Sequence, residues 1–100
     1  MSVYRLTRRA DEDILAVYLQ GHAMFGEPQA DLYHDDLHAL FHRLADYPGI
    51  ARVRSEIVPP VRAFSFKAHL VIYEDAPGGI VILRVRHAAE NWIDDPLGDI

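Results

Sequence analysis

One hundred residues, half of them apolar and a quarter charged, make one globular domain and leave no length for a second. The sequence has no cysteine, which excludes disulfides, thiolate metal sites and a cysteine nucleophile. Net charge is −5 but uneven: residues 51–87 hold five Arg and one Lys against three acids, while residues 88–100 hold four acids and no base. An acidic chain is a poor non-specific binder of nucleic acid, although the third quarter can present a local basic surface. Apolar runs such as Ile80–Leu83 are too short to span a bilayer, and Met1–Arg5 has no apolar signal core, so a cytoplasmic chain is expected.

Val3–Leu6 reads as a short strand. Thr7 is a suitable N-cap, and Asp11, Glu12 and Asp13 complement the dipole of the helix that follows. Ala10, Ile14, Val17, Tyr18, Gly21 and Phe25 recur at helical spacing, which predicts a helix over residues 8–24 closed by Gly26. Glu27-Pro28 opens a second helix, whose apolar stripe is Ala30, Tyr33, Leu37, Leu40, Phe41 and Leu44. Tyr47-Pro48-Gly49 stops it. So short a turn forces the two helices antiparallel.

The period then falls toward 2. Val53–Val58 is a candidate strand halted by Pro59-Pro60; Val61–Phe66 and His69–Glu74 are strands; Pro77-Gly78-Gly79 is a turn before a last strand over Ile80–His87. Strict alternation there sets Val81, Leu83 and Val85 on one face and Ile82, Arg84 and Arg86 on the other. The expected fold is α/β of the α+β kind, β-α-α-β-β-β. A helical hairpin covers one face of a mainly antiparallel sheet and leaves the opposite face free.

Nine of the ten basic residues are Arg, which suits planar, bidentate contacts with carboxylates. Arg62, Arg84 and Arg86 are candidates for contacting a target or an acidic partner; otherwise they pair with Glu56, Glu74 or Asp75 across strands. His87 is a candidate acid–base group, or else it orients the turn after the last strand. His34, His38 and His42 stand at i, i+4 and i+8, but one straight helix cannot wrap three ligands round a tetrahedral ion. No metal site and no cofactor are expected. Trp92 either closes the core beneath the hairpin or projects with the acidic tail as an anchor for a target. Tyr4, Tyr18, Tyr33 and Tyr73 read as core or core-edge aromatics.

The ordered set of elements resembles the RelE/ParE toxin family over about residues 3–94. Tyr4-Arg5-Leu6-Thr7 leads into Ala10, Asp13, Ile14 and Tyr18, and Gly26, Gln29-Ala30 and Tyr33 are similar to that family's hairpin turn. Leu40-Phe41, Leu44-Ala45 and Pro48 resemble the end of its second helix. Val61-Arg62 and His69-Leu70-Val71-Ile72-Tyr73 resemble its strand pair. Val81-Ile82-Leu83-Arg84-Val85-Arg86-His87, followed by Glu90-Asn91-Trp92, is similar to the closing segment of ParE-type members.

The resemblance implies a non-enzymatic toxin of a type II toxin–antitoxin system. Such a toxin poisons DNA gyrase, expected at the A subunit, and is neutralised by a ParD-like antitoxin wrapped around it. The antitoxin is expected on the sheet and beside the hairpin, its acids meeting Arg62, Arg84 and Arg86, with His87 and Trp92 as further contacts and a strand extending the sheet edge. The RelE branch cuts messenger RNA with clustered cations and a late Tyr or His. Here Lys67 is the only lysine and no tyrosine follows Tyr73, which departs from that pattern. A ribosome-dependent endoribonuclease and a non-toxic paralogue that keeps only antitoxin binding are the two alternatives.

Overall fold

The computed structural model describes residues 3–88, 92, 93 and 95–97. Strand β1 (Val3–Leu6) leads into helices α1 (Arg8–Phe25) and α2 (Glu27–Asp46). A 3-10 turn (Pro48–Ile50) follows, then β2 (Val53–Arg54), β3 (Val61–Phe66), β4 (His69–Ala76) and β5 (Gly79–His87). The helix ends are where local chemistry sets them. Thr7 is extended (φ −69°, ψ 163°) and its Oγ1 accepts from the Ala10 N–H at 3.0 Å, satisfying an orphan donor of the first turn. Gly26, at φ 88° and ψ 168°, adopts a positive-φ backbone conformation open chiefly to glycine and ends α1, and Pro28 sits in the first turn of α2, where its missing N–H is harmless.

The five strands form one sheet in the order β1-β5-β4-β3-β2. Pairing is antiparallel except between β1 and β5, which run parallel with Val3 beside Gly79 and Leu6 beside Ile82. The sheet is therefore mixed, with the first strand on its edge. A Cβ on Gly79 would lie 1.7 Å from the Val3 carbonyl oxygen, so only glycine lets β1 close on β5.

Between the hairpin and the sheet lies the main core: Ala10 and Ile14 of α1, Leu37, Leu40, Phe41, Leu44 and Ala45 of α2, and Val71, Tyr73, Ile80, Ile82 and Val85 of the sheet. Each large side chain buried here contributes on the order of 1.5–3 kcal/mol. The fully buried Tyr73 keeps its hydroxyl satisfied by donating to the Pro48 carbonyl at 2.8 Å. That bond ties β4 to the turn after α2.

Three expectations require correction. The strand expected over Val53–Val58 is confined to Val53–Arg54. The chain turns immediately afterwards, with the Ile57 N–H donating to the Arg54 carbonyl, and Ile57 packs inward. Strict alternation fails in β5 because Leu83 is an extra residue: Tyr73 pairs with Ile82 but Ile72 pairs with Arg84. Ile80, Ile82 and Val85 accordingly join the hairpin-facing core together, while Leu83 packs on the other side.

The opposite sheet face is not free. Ile57, Val61, Ala63, Leu70 and Ile72 form a second buried cluster there, against which Leu83 and Trp92 pack. Those strand positions are apolar on both faces, so an outer cover is needed, and the loop after β2 and the described part of the tail supply it.

Candidate functional site

Of the residues singled out in the sequence, Arg62 and Arg84 are the most tightly engaged. Arg62 forks onto Asp75, with Nε to Oδ1 at 3.1 Å and Nη2 to Oδ2 at 3.0 Å, and its Nη1 donates to the Ala51 carbonyl at 2.6 Å. Donating these hydrogen bonds to Asp75 holds this guanidinium still more firmly in its protonated form. Cross-strand pairing with Asp75 is the ordinary structural role that the sequence allowed.

Arg84 forks onto Asp13 of α1, with Nε to Oδ2 at 2.6 Å and Nη2 to Oδ1 at 2.9 Å, and the two side chains are only 13% and 16% exposed. Oδ2 of Asp13 also accepts from the Val85 N–H at 3.0 Å. Where β1 has ended, this carboxylate stands in for a neighbouring strand along the edge of β5, and Thr7 does the same one step earlier by donating to the Leu83 carbonyl at 2.8 Å. Arg84 is a structural clamp between α1 and β5. Sequence reading missed Asp13 in this role because it grouped it with Asp11 and Glu12 as a dipole partner, although α1 begins at Arg8 and of the three only Asp11 lies in its first turn.

The same two late arginines fasten the tail. Arg84 donates to the Leu97 carbonyl and Arg86 to the Asp95 carbonyl. Trp92 is half-buried against the second cluster, and the Arg54 guanidinium lies 5.4 Å from its ring centroid. Trp92 is packed, therefore, but on the face away from the hairpin rather than beneath it.

His87 belongs to a different place. It lies directly across from His69, their ring centroids 5.7 Å apart, at the end of a groove between the hairpin and the sheet. The groove encloses about 370 Å³ and is lined by Ile14, Val17 and Met24 of α1 and by Ala30, Tyr33 and Leu37 of α2, with Lys67, His69 and His87 at the sheet end. The five residues picked from sequence thus divide among the hairpin-facing rim (Arg62), the β5 edge and tail (Arg84, Arg86), the groove (His87) and the back face (Trp92). They do not form one site.

The residues that sequence reading overlooked are those at the groove's polar end. The Tyr33 hydroxyl is 2.6 Å from Nδ1 of His69, and burial raises the tyrosine's pKa, which keeps that hydroxyl protonated. Lys67 occupies the two-residue β3–β4 turn at φ 53°, with its Nζ 3.1 Å from Asp36 and 5.2 Å from the ring centroids of both Tyr33 and Phe66. The turn between β4 and β5 would by itself set Arg86 opposite His69. The extra residue in β5 shifts the register and brings His87 there instead.

The three helical histidines line the flank of α2. His38 shares a 2.7 Å hydrogen bond with the Tyr4 hydroxyl, the His34 and His38 rings are 4.5 Å apart, and His42 stands edge-on to Tyr4 at 4.9 Å. Among the described residues, no three His, Asp or Glu side chains gather as a metal-binding group.

The fold is thus a two-helix cover on a five-stranded mixed sheet, with an open, largely apolar groove along the hairpin. Residues 4–92 match the family described as the ParE toxin of type II toxin–antitoxin systems, parDE, and the chain belongs to that family. It is 29% identical over 91 residues to Toxin ParE1 of Caulobacter vibrioides, spanning 91% of this chain and 94% of that one. It is also 39% identical over 49 residues to Toxin ParE3 of the same organism, about half of each chain. Its fold is that of a solved chain of a chromosomal ParDE system from P. aeruginosa, with a TM-score of 0.73 at 22% identity, covering 87% of this chain and 96% of that one.

Proposed function

We propose that this ParE-type toxin acts by protein–protein binding: it inhibits DNA gyrase and is neutralised by a ParD-like antitoxin seated in the groove beside the hairpin. The observation that carries the reading is the groove itself, open and lined chiefly by aliphatic and aromatic side chains. At its hairpin end, Met24 and Phe25 are 62% and 67% exposed. Such a surface suits the apolar stripe of a folding partner segment.

The arginine pairs support the same reading. A nuclease site needs cations turned toward a reacting phosphate, whereas Arg62 and Arg84 have their planar forks on Asp75 and Asp13. Arg86 and His87, half-buried and exposed respectively, remain the candidate contacts of the late strand, with Trp92 at the tail. The coupling of antitoxin folding to groove burial accounts for neutralisation without any covalent step.

The test sets two assays side by side with purified chain: supercoiling by gyrase, and cleavage of a transcript on translating ribosomes. Inhibited supercoiling with intact transcript, relieved by the antitoxin, is expected. Transcript cleavage that disappears in Arg86→Ala or His87→Ala, with gyrase unaffected, overturns the proposal in favour of an endoribonuclease.

A further inference from the structure

The chain carries fifteen acids in one hundred residues, yet none of them lines the groove; its charged or ionisable lining is Lys67 and three histidines, with two tyrosines. The groove is also polarised along its length. At one end Met24 and Phe25 offer bare apolar surface, and at the other Lys67, His69, His87 and the Tyr33 hydroxyl converge. Lys67 is the one lining residue with a permanent positive charge, which a carboxylate complements, and charge on an exposed rim steers association more than it strengthens it.

We infer that the groove accepts its occupant in one direction: an Asp or Glu of the antitoxin is received by Lys67, His69 and His87 at the sheet end, and the antitoxin's apolar side chains run from there toward Met24 and Phe25. The inference rests on the reading of this chain as an antitoxin-neutralised toxin. Lys67 already pairs with Asp36 on the rim at 3.1 Å, but an ammonium has three N–H donors and shares itself between two carboxylates readily. Its placement is enforced by the turn, since Lys67 is held at φ 53° against the preference of an L side chain.

Lys67 is the only lysine in the chain, which makes the test direct. The probe is the complex of the full chain with its co-expressed antitoxin, treated with a carbodiimide that joins amines to carboxylates in contact, then digested and sequenced by mass spectrometry. An amide between Lys67 and an antitoxin Asp or Glu is expected, lost in Lys67→Gln. That variant should also bind the antitoxin at least about threefold more weakly, and His87→Gln should weaken binding in the same direction. Arg52→Gln, remote from the groove and paired with Glu56, should change neither reading. Thermal melts of each variant separate binding from folding. Cross-links confined to Asp36 within the chain, or unchanged affinity in folded Lys67→Gln and His87→Gln, overturn the inference while the toxin reading stands. Failure of the native chain to form any complex overturns both.

Discussion

At the scale of single residues, one carboxylate decides how the hairpin meets the sheet. Asp13 receives two nitrogens of Arg84 and the Val85 N–H in a site with little water, so its loss strands a guanidinium and an amide together. Asp13→Ala should lower unfolding stability by about 2–4 kcal/mol in chemical denaturation. Arg84→Ala should fall in the same range, and an effect of that variant on toxicity reports folding before it reports target contact. His38 is a second informative residue. Burial first, then the neighbouring His34 and His42, hold its pKa below the ordinary histidine value. The unfolded chain therefore takes up a proton at higher pH than the native one, so the stabilisation present at pH 7.5 is lost as pH falls through about 6.5. The expected result is a melting temperature that declines between pH 7.5 and 5.5, with a smaller decline in His38→Gln.

At the scale of elements, the helices were legible in the sequence because their signals are local. Thr7, Gly26 and Pro28 act within one turn of where they stand, and the apolar stripe of α2 needs only its own periodicity. The sheet was legible only in part. Nothing in the periodicity of Val3–Leu6 names β5 as its partner or makes the pairing parallel; the tightest trace of it is Gly79, whose hydrogen is all that fits against the Val3 carbonyl. Gly79→Ala should therefore detach β1 and cost about 2 kcal/mol or more, with faster amide exchange at residues 3–6 than in the rest of the sheet. The bulge at Leu83 escaped a strict two-residue period for the same kind of reason, since the extra residue is set by tertiary packing and by Thr7 and Asp13 holding that edge. One slipped residue brought Val85 to the same face as Ile82 and set His87, rather than Arg86, at the groove.

At the scale of the molecule, the family was readable from the order of modest motifs along nearly the whole chain, whereas the candidate site was not. Arginines stand out in a sequence, but their acidic partners lie far away in it: Asp13 is 71 residues from Arg84 and Asp75 is 13 from Arg62. Conversely, the groove is composed of ordinary apolar residues from both helices, joined by a turn lysine and two histidines that meet only through register. Removing an apolar anchor from this groove should separate binding from folding. Phe25→Ala, at a largely exposed position, should leave the melting temperature within a few degrees yet weaken the antitoxin complex by roughly tenfold or more, measured by titration calorimetry.

The most direct test is one of proportion. A binding toxin is consumed by its target, whereas a catalyst is not. Titrated against a fixed amount of gyrase, the chain should suppress supercoiling linearly up to a plateau near stoichiometric amounts. Turnover of many target molecules per chain, in either a gyrase or a transcript-cleavage assay, would contradict the account.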